Sequence, residues 1–204
     1  ILIDVLGNGK AGSIEKFSPD MWFDEAMQTI ALVEHLHLRG ASLAGTSGGA
    51  WAAMNAALER PDLFDRIVAD SFDGRTLNEH FADNLLKERE GAKADLQARQ
   101  FYEWCQGEDW EKVVDLDTEA LLQCAKEKTP LFRKSLEELK VPVLFLGSRE
   151  DEMCRENLEQ EYKEMAAFIP EASVYMFPHG GHPAIASNAE EAAGVIETFL
   201  KGGK

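Results

Sequence analysis

The sequence predicts an α/β fold: a mostly parallel, doubly wound sheet interrupted by an inserted helical cap. Three observations carry that expectation. Residues 1–72 alternate short apolar runs with helical stretches in the order β-α-β-α-β, and such alternation favours a parallel sheet with helices on both faces. Residues 73–140 show helical periodicity and many charges but no convincing strand. Residues 141–204 return to strand and helix. The expected organisation is a core in two parts, 1–72 and 141–204, with the cap over 73–140. Links in α/β units usually run ~2–6 residues, so so long an interruption is structure in its own right.

The elements follow in order. Ile1-Leu2-Ile3-Asp4-Val5 is short and aliphatic and reads as a buried strand. It opens the chain as though in mid-sheet, so further N-terminal strands are expected to be missing before it. Gly7 to Ser13 is a Gly-rich loop without the G-x-x-x-x-G-K-[ST] spacing of a phosphate loop. Ser18-Pro19 suits a helix start, and Trp22, Phe23, Ala26, Met27, Ile30, Val33 and Leu36 then recur at helical spacing. His35 and His37 near its end read as structural, and Gly40 closes it. Ala41 to Ala44 leads as a strand into Gly45-Thr46-Ser47-Gly48-Gly49 and an Ala-rich helix to Leu58. Ile67 to Phe72 is the next strand.

Four helices are expected in the cap, marked by Phe81/Leu85/Leu86, Leu96/Phe101/Tyr102/Trp104, Ala120 to Ala125, and Leu131 to Leu139, with Gly107-Glu108-Asp109 as a turn. Val141 to Gly147 is a strand ending in the polar loop Ser148 to Glu152. A helix from Glu156 to Phe168 and a last strand, Ser173 to Pro178, precede the loop His179-Gly180-Gly181-His182-Pro183. Asn188 and Glu191 suit a capping box on the final helix, and residues 202–204 a frayed tail.

Composition narrows the partners. The 204 residues suit one domain with an insertion, and the net charge of -16 argues against nucleic acid or an anionic membrane as partner. Three cysteines, Cys105, Cys124 and Cys154, show no C-x-x-C spacing, which fits reduced thiols and a cytoplasmic setting. No apolar run approaches the ~20 residues of a membrane span, and no signal peptide is visible. A small-molecule substrate is the expected partner, with oligomeric state left open.

The chemistry centres on Gly45-Thr46-Ser47-Gly48-Gly49. G-x-S-x-G between a strand and a helix describes a nucleophile elbow, in which a tight turn exposes the serine hydroxyl at a helix N-terminus. The flanking glycines are expected to let the backbone pass close to its neighbours. Two further loops follow strands on the same sheet edge: the acidic loop around Asp151 and the histidine loop around His182. Ligands of open α/β sheets bind at that carboxyl edge. Glu150 and Glu152 flank Asp151, Asp70 ends another strand, and His179 lies three residues before His182, so each assignment has rivals.

With these residues in view, the chain resembles the α/β-hydrolase superfamily over essentially its whole length, as a serine hydrolase with a helical cap. The resemblance rests on Gly45 to Gly49, on the strand and acid stretch Pro142 to Glu152, and on Gly181-His182 before a Glu-rich helix. It implies Ser47 as nucleophile, His182 as base and Asp151 as the acid that orients it. It implies the Gly48 N–H as one oxyanion donor, with the second expected upstream of Ile1. Asp4 to Lys10 corresponds to the family's Asp-x-x-Gly-x-Gly-x-Ser loop. His182 is preferred over His179 by its Gly-His match, and Asp151 over Glu150 by its distance from Gly147; Cys154 and His80 read as bystanders. Trp104, Trp110, Phe101 and Tyr102 are expected to line the substrate pocket. The expected reaction is cleavage of an ester, thioester or amide through an acyl-enzyme, with no cofactor and no metal. Sixteen acidic against eleven basic residues over 73–140 leave a cationic, aminopeptidase-type substrate as a minority option. The alternative is a non-catalytic small-molecule-binding protein on the same scaffold.

Overall fold

In the computed structural model, which describes residues 1–202, thirteen elements follow one another. They are α1 (Met21–His35), β1 (Ala41–Thr46), α2 (Gly48–Glu59), β2 (Phe64–Asp70), α3 (Phe81–Ala94), α4 (Leu96–Gln106), α5 (Trp110–Glu127), a 3₁₀ turn (Leu136–Glu138), β3 (Val143–Ser148), α6 (Leu158–Ala166), β4 (Ala172–Phe177), α7 (Ala184–Ser187) and α8 (Ala189–Leu200). The strands form one sheet in the order β1-β2-β3-β4, with every neighbouring pair parallel. Of the expected tail, residues 203 and 204 lie outside the described residues.

β3 is buried along its whole length, as its Val-Leu-Phe-Leu run requires of an inner parallel strand covered on both faces. On one face Leu144 and Leu146 join Val68, Phe177, Ala184, Ala192 and Phe199 in a core cluster that α7 and α8 close. On the other face Phe145 stacks on Tyr162 of α6 at 5.3 Å and on Phe72 at 6.0 Å, and Trp51 of α2 meets Phe72 edge-on at 5.5 Å. Period-two alternation along one strand thus builds both layers of the doubly wound sheet. Tyr162 is fully buried without leaving its hydroxyl unpaired: it donates to Phe72 O at 2.8 Å and accepts from Phe72 N at 2.9 Å. In α2 every residue from Ala50 to Leu58 is buried, and its run of alanines lets the helix lie close against β1 and β2.

The chain divides into two compact units, residues 1–21 with 79–129, and 22–78 with 130–204. Ile1 to Val5 is not a strand, and Ile1 and Leu2 are fully exposed. An extended segment is stabilised by ladder hydrogen bonds, and no strand of the sheet pairs with this one. The residues after it close on themselves instead, Gly7 N donating to Gly12 O and Asn8 N to Val5 O, both at 2.9 Å. Gly9 N donates to Gln106 Oε1 at 2.8 Å, tying this loop to α4.

Three boundaries also differ. α1 begins at Met21, because Ser18 Oγ accepts from Asp20 N at 3.1 Å in a preceding turn. The helix expected over 131–139 is only the 3₁₀ turn, capped by Ser135 and Glu138. Buried Asn55 holds the chain before it in non-helical form, donating to Leu131 O at 2.8 Å and accepting from Arg133 N at 3.3 Å. The capping box at Asn188 is not made. Asn188 Nδ2 donates instead to His179 O at 3.0 Å, and Glu191 accepts from the Tyr175 hydroxyl.

Candidate active site

β1 ends at Thr46 and α2 begins at Gly48, so Ser47 alone makes the turn between them. It does so at φ 53°, ψ -125°, a conformation that costs a non-glycine residue on the order of 1–3 kcal/mol. The surroundings hold it there: Ser47 N donates to Asp70 O at 2.8 Å, and Ser47 O accepts from Ala50 N at 3.0 Å. The glycines are not equivalent. A Cβ on Gly45 would lie 1.9 Å from Gly49 O, and one on Gly48 would lie 2.3 Å from Trp22 Nε1. A Cβ on Gly49 would meet nothing within 4 Å. The expected packing role thus belongs to Gly45, and not to Gly49.

β3 and β4 deliver the other two side chains past the same ends of the sheet. His182 Nε2 lies 3.1 Å from Ser47 Oγ, and His182 Nδ1 lies 3.0 Å from both carboxylate oxygens of Asp151. Asp151 Oδ1 also accepts from Met153 N at 3.1 Å and Cys154 N at 3.2 Å. Burial opposes ionisation of Asp151, but the His182 hydrogen bond and charge and the Met153 N–H outweigh it and hold its pKa below the ordinary value. Burial likewise pulls His182 down, while Asp151, and more distantly Asp70 and Glu152, push it above an ordinary histidine. The Asp151 side chain is 1% exposed and that of His182 18%, so the contact is partly shielded from solvent.

The rivals fall elsewhere. His179 is exposed and pairs with Glu150 at 3.0 Å, and Glu150 also accepts from Gly180 N at 3.3 Å. Glu152 accepts from His182 N at 3.3 Å. Both glutamates therefore clasp the histidine loop without hydrogen-bonding the His182 imidazole. Asp70 binds Thr46 Oγ1 at 2.5 Å and Ile185 N at 3.3 Å through Oδ2, and Ser71 Oγ at 3.3 Å through Oδ1. Burial raises its pKa. Ser71, at φ 50°, accepts from Ala184 N at 2.7 Å. This bracing by Asp70, Ser71 and the glutamate clasp was not foreseen in the sequence; nothing in the spacing signals it.

Burial and the neighbouring Asp151 carboxylate push the Cys154 thiol well up, so it stays protonated. The donor atoms of Asp151, Cys154 and His182 lie within 4.8 Å of one another, but His182 Nδ1 and the Asp151 carboxylate engage each other. Gly48 is the first residue of α2, where helix N–H groups lack intrahelical partners. Of the four aromatic residues expected to meet substrate, Trp110 is buried and stacks on Tyr102 at 5.8 Å, while Phe101 and Trp104 are exposed. Tyr102 hydrogen-bonds Arg89 and Glu88, so these two rings belong to the packing of their own unit. His80 is exposed beside Glu79. Among the described residues no helix is long and apolar enough to cross a membrane.

Comparison with known proteins follows the same line. The solved structure of NosK from Streptomyces actuosus is 20% identical, with a TM-score of 0.72 over 98% of this chain and 84% of that one. A serine hydrolase involved in carbazole degradation, CarC, is 20% identical, with a TM-score of 0.71 over 96% and 76%. The meta-cleavage product hydrolase CumD from Pseudomonas fluorescens is 18% identical, with a TM-score of 0.73 over 97% and 78%. These likenesses are of fold. No curated protein sequence matches the chain. Residues 1–197 match the sequence pattern of the Alpha/beta hydrolase family, and the chain belongs to that family.

Proposed function

We propose that this chain is a serine hydrolase that cleaves an ester, thioester or amide bond of a small, partly apolar substrate. The observation that carries the reading is the unbroken relay from Ser47 Oγ through His182 to Asp151, at 3.1 and 3.0 Å. In this reading His182 Nε2 takes the hydroxyl proton as Ser47 attacks the carbonyl carbon. The Gly48 N–H stabilises the resulting oxyanion. Collapse of the intermediate breaks the bond to the leaving group, which takes the proton from His182. Water, deprotonated by the same imidazole, then releases the acid and restores Ser47. Asp151 keeps the imidazole in the tautomer with its proton on Nδ1 and stabilises the charged form. The chemistry needs no cofactor. Relatives named as a serine hydrolase and as a carboxylesterase, CesB from Bacillus subtilis, support this choice of reaction.

The test is turnover of short-chain nitrophenyl esters together with labelling by a fluorophosphonate probe, on the wild type and on Ser47→Ala. Wild-type turnover and labelling at Ser47, both lost in the variant, are expected. A wild type that is folded but neither turns over nor takes the label would refute the reading, and binding of small molecules by both proteins without turnover would favour a ligand-binding role.

A further inference from the structure

We propose that the indole N–H of Trp22 donates a hydrogen bond to the substrate held at Ser47, beside the Gly48 amide. The inference rests on Ser47 being the nucleophile and adds a substrate-contacting residue from α1, an element outside the three loops that carry Ser47, Asp151 and His182.

Trp22 is the second residue of α1 and is 8% exposed. Its ring stacks on Trp51 with centroids 4.2 Å apart and an interplanar angle of 28°. The two indoles then differ. Trp51 Nε1 donates to Gly74 O at 2.8 Å. Among the described residues Trp22 Nε1 has no hydrogen-bond partner, and it is not one of the side-chain atoms sealed from solvent without one. The N–H therefore keeps an open approach while its ring is held in place, and a bound acceptor can take the position that water would otherwise fill.

Its position says where a partner would come from. Trp22 Nε1 lies 2.3 Å from the point a Cβ on Gly48 would occupy. A Cβ sits about 2.5 Å from its own amide nitrogen, so the indole nitrogen and the Gly48 nitrogen are no more than about 5 Å apart. With hydrogen bonds of about 2.9 Å, one acceptor oxygen can engage both donors. The motif G-x-S-x-G accepts any residue after the serine. Here that residue is glycine, and a side chain at this position would displace the indole. Gly48 and Trp22 therefore form a matched pair: the missing side chain of one admits the ring of the other to the nucleophile. The group recognised is an acceptor oxygen on the acyl side of the scissile bond.

Trp22→Phe keeps a ring on Trp51 and removes the N–H. The expected result is a fall of about tenfold or more in kcat/KM for nitrophenyl esters, as for loss of a transition-state donor, with circular dichroism and melting temperature close to wild type. A second variant carries benzothienylalanine at position 22, which preserves the shape of the indole and replaces N–H by sulfur. It is expected to lose as much as Trp22→Phe. Unchanged kcat/KM in a folded Trp22→Phe, or full activity with benzothienylalanine, overturns the donor role and leaves only packing. Wild-type protein that neither turns over ester nor takes the fluorophosphonate label fails the parent reading instead, so the two failures are distinguishable.

Discussion

The two glycines of Gly45-Thr46-Ser47-Gly48-Gly49 look alike in the motif but should respond in opposite ways to alanine. In Gly45→Ala the new Cβ would lie 1.9 Å from Gly49 O, whereas real Cβ contacts do not fall below 3.0 Å. The atom it strikes is backbone, and the Gly45 carbon belongs to β1, which is hydrogen-bonded to β2 from Ala41 to Thr46. The start of α2 would have to move by about 1 Å away from the strand, because no rotamer can relieve a clash between main chains. Destabilisation above ~4 kcal/mol is expected, in the range reserved for lost core or backbone geometry. For a chain of this size each kcal/mol shifts Tm by roughly 2–4 °C, so a fall of about 10 °C or more follows. Gly49→Ala meets no atom within 4 Å and sits inside α2. Replacing a helical glycine there should stabilise by about 0.5–1 kcal/mol, a rise of a few degrees. Thermal denaturation of both variants, with fluorophosphonate labelling of Ser47 as the check on the elbow, gives the comparison. Equal destabilisation by the two substitutions, or a Gly45→Ala protein that melts and labels like the wild type, would refute the steric argument.

Three other outcomes follow from the same geometry. In the proposed reaction His182 must be neutral to accept the Ser47 proton, and Asp151 holds its pKa above the ordinary value against the opposing effect of burial, so kcat/KM should fall as pH drops through that raised value; Asp151→Asn should move this acidic limb to lower pH and reduce kcat by about 10⁴, as established for Ser-His-Asp enzymes, read from a pH–rate profile. Glu150→Gln should leave activity near wild type in the same assay, because Glu150 pairs with exposed His179 and not with His182; a loss as large as that of Asp151→Asn would exchange their roles. Tyr162→Phe should cost about 1–3 kcal/mol by leaving Phe72 N and O without the buried hydroxyl they share, measured as a lowered Tm with ester turnover retained; an unchanged Tm would mean water replaces both bonds.

What was legible in the sequence was what periodicity and punctuation encode. The Val-Leu-Phe-Leu run of β3, the Ala-rich α2 and the turn at Gly107 to Asp109 all announce themselves, and each is where the residues place it. The order Ser47, Asp151, His182 was legible because each follows a strand, and a parallel sheet carries all such loops to one edge. Where a local pattern was outvoted, the cause was a partner distant in sequence. Asn55 pins Leu131 and Arg133 and unwinds an expected helix. Asn188 turns from capping α8 to binding His179 O. Ile1 to Val5 has strand composition but no strand to pair with. The bracing around the site was illegible for the same reason, since Asp70, Ser71 and Glu152 act through contacts that spacing does not encode.

Asp70 and Asp151 show how two buried carboxylates near one histidine take different work. Both end or follow strands at the same edge, and burial opposes the charge of each. Asp151 directs both oxygens at His182 Nδ1 and is kept ionised by the imidazole and by backbone N–H groups of its own loop. Asp70 spends its hydrogen bonds on the frame. Its Oδ2 holds Thr46, the residue before Ser47, and Ile185, three residues after His182; its Oδ1 holds Ser71, whose hydroxyl takes the Ala184 N–H. One side chain thus links the strand that carries Ser47 to the helix that follows His182, while its main-chain oxygen accepts from Ser47 N. Such a link joins the two segments on either side of the Ser47–His182 contact, and the proton transfer proposed there depends on that geometry. In the proposed relay, orienting the imidazole falls to Asp151, while Asp70 ties Thr46 to Ile185 without facing the ring.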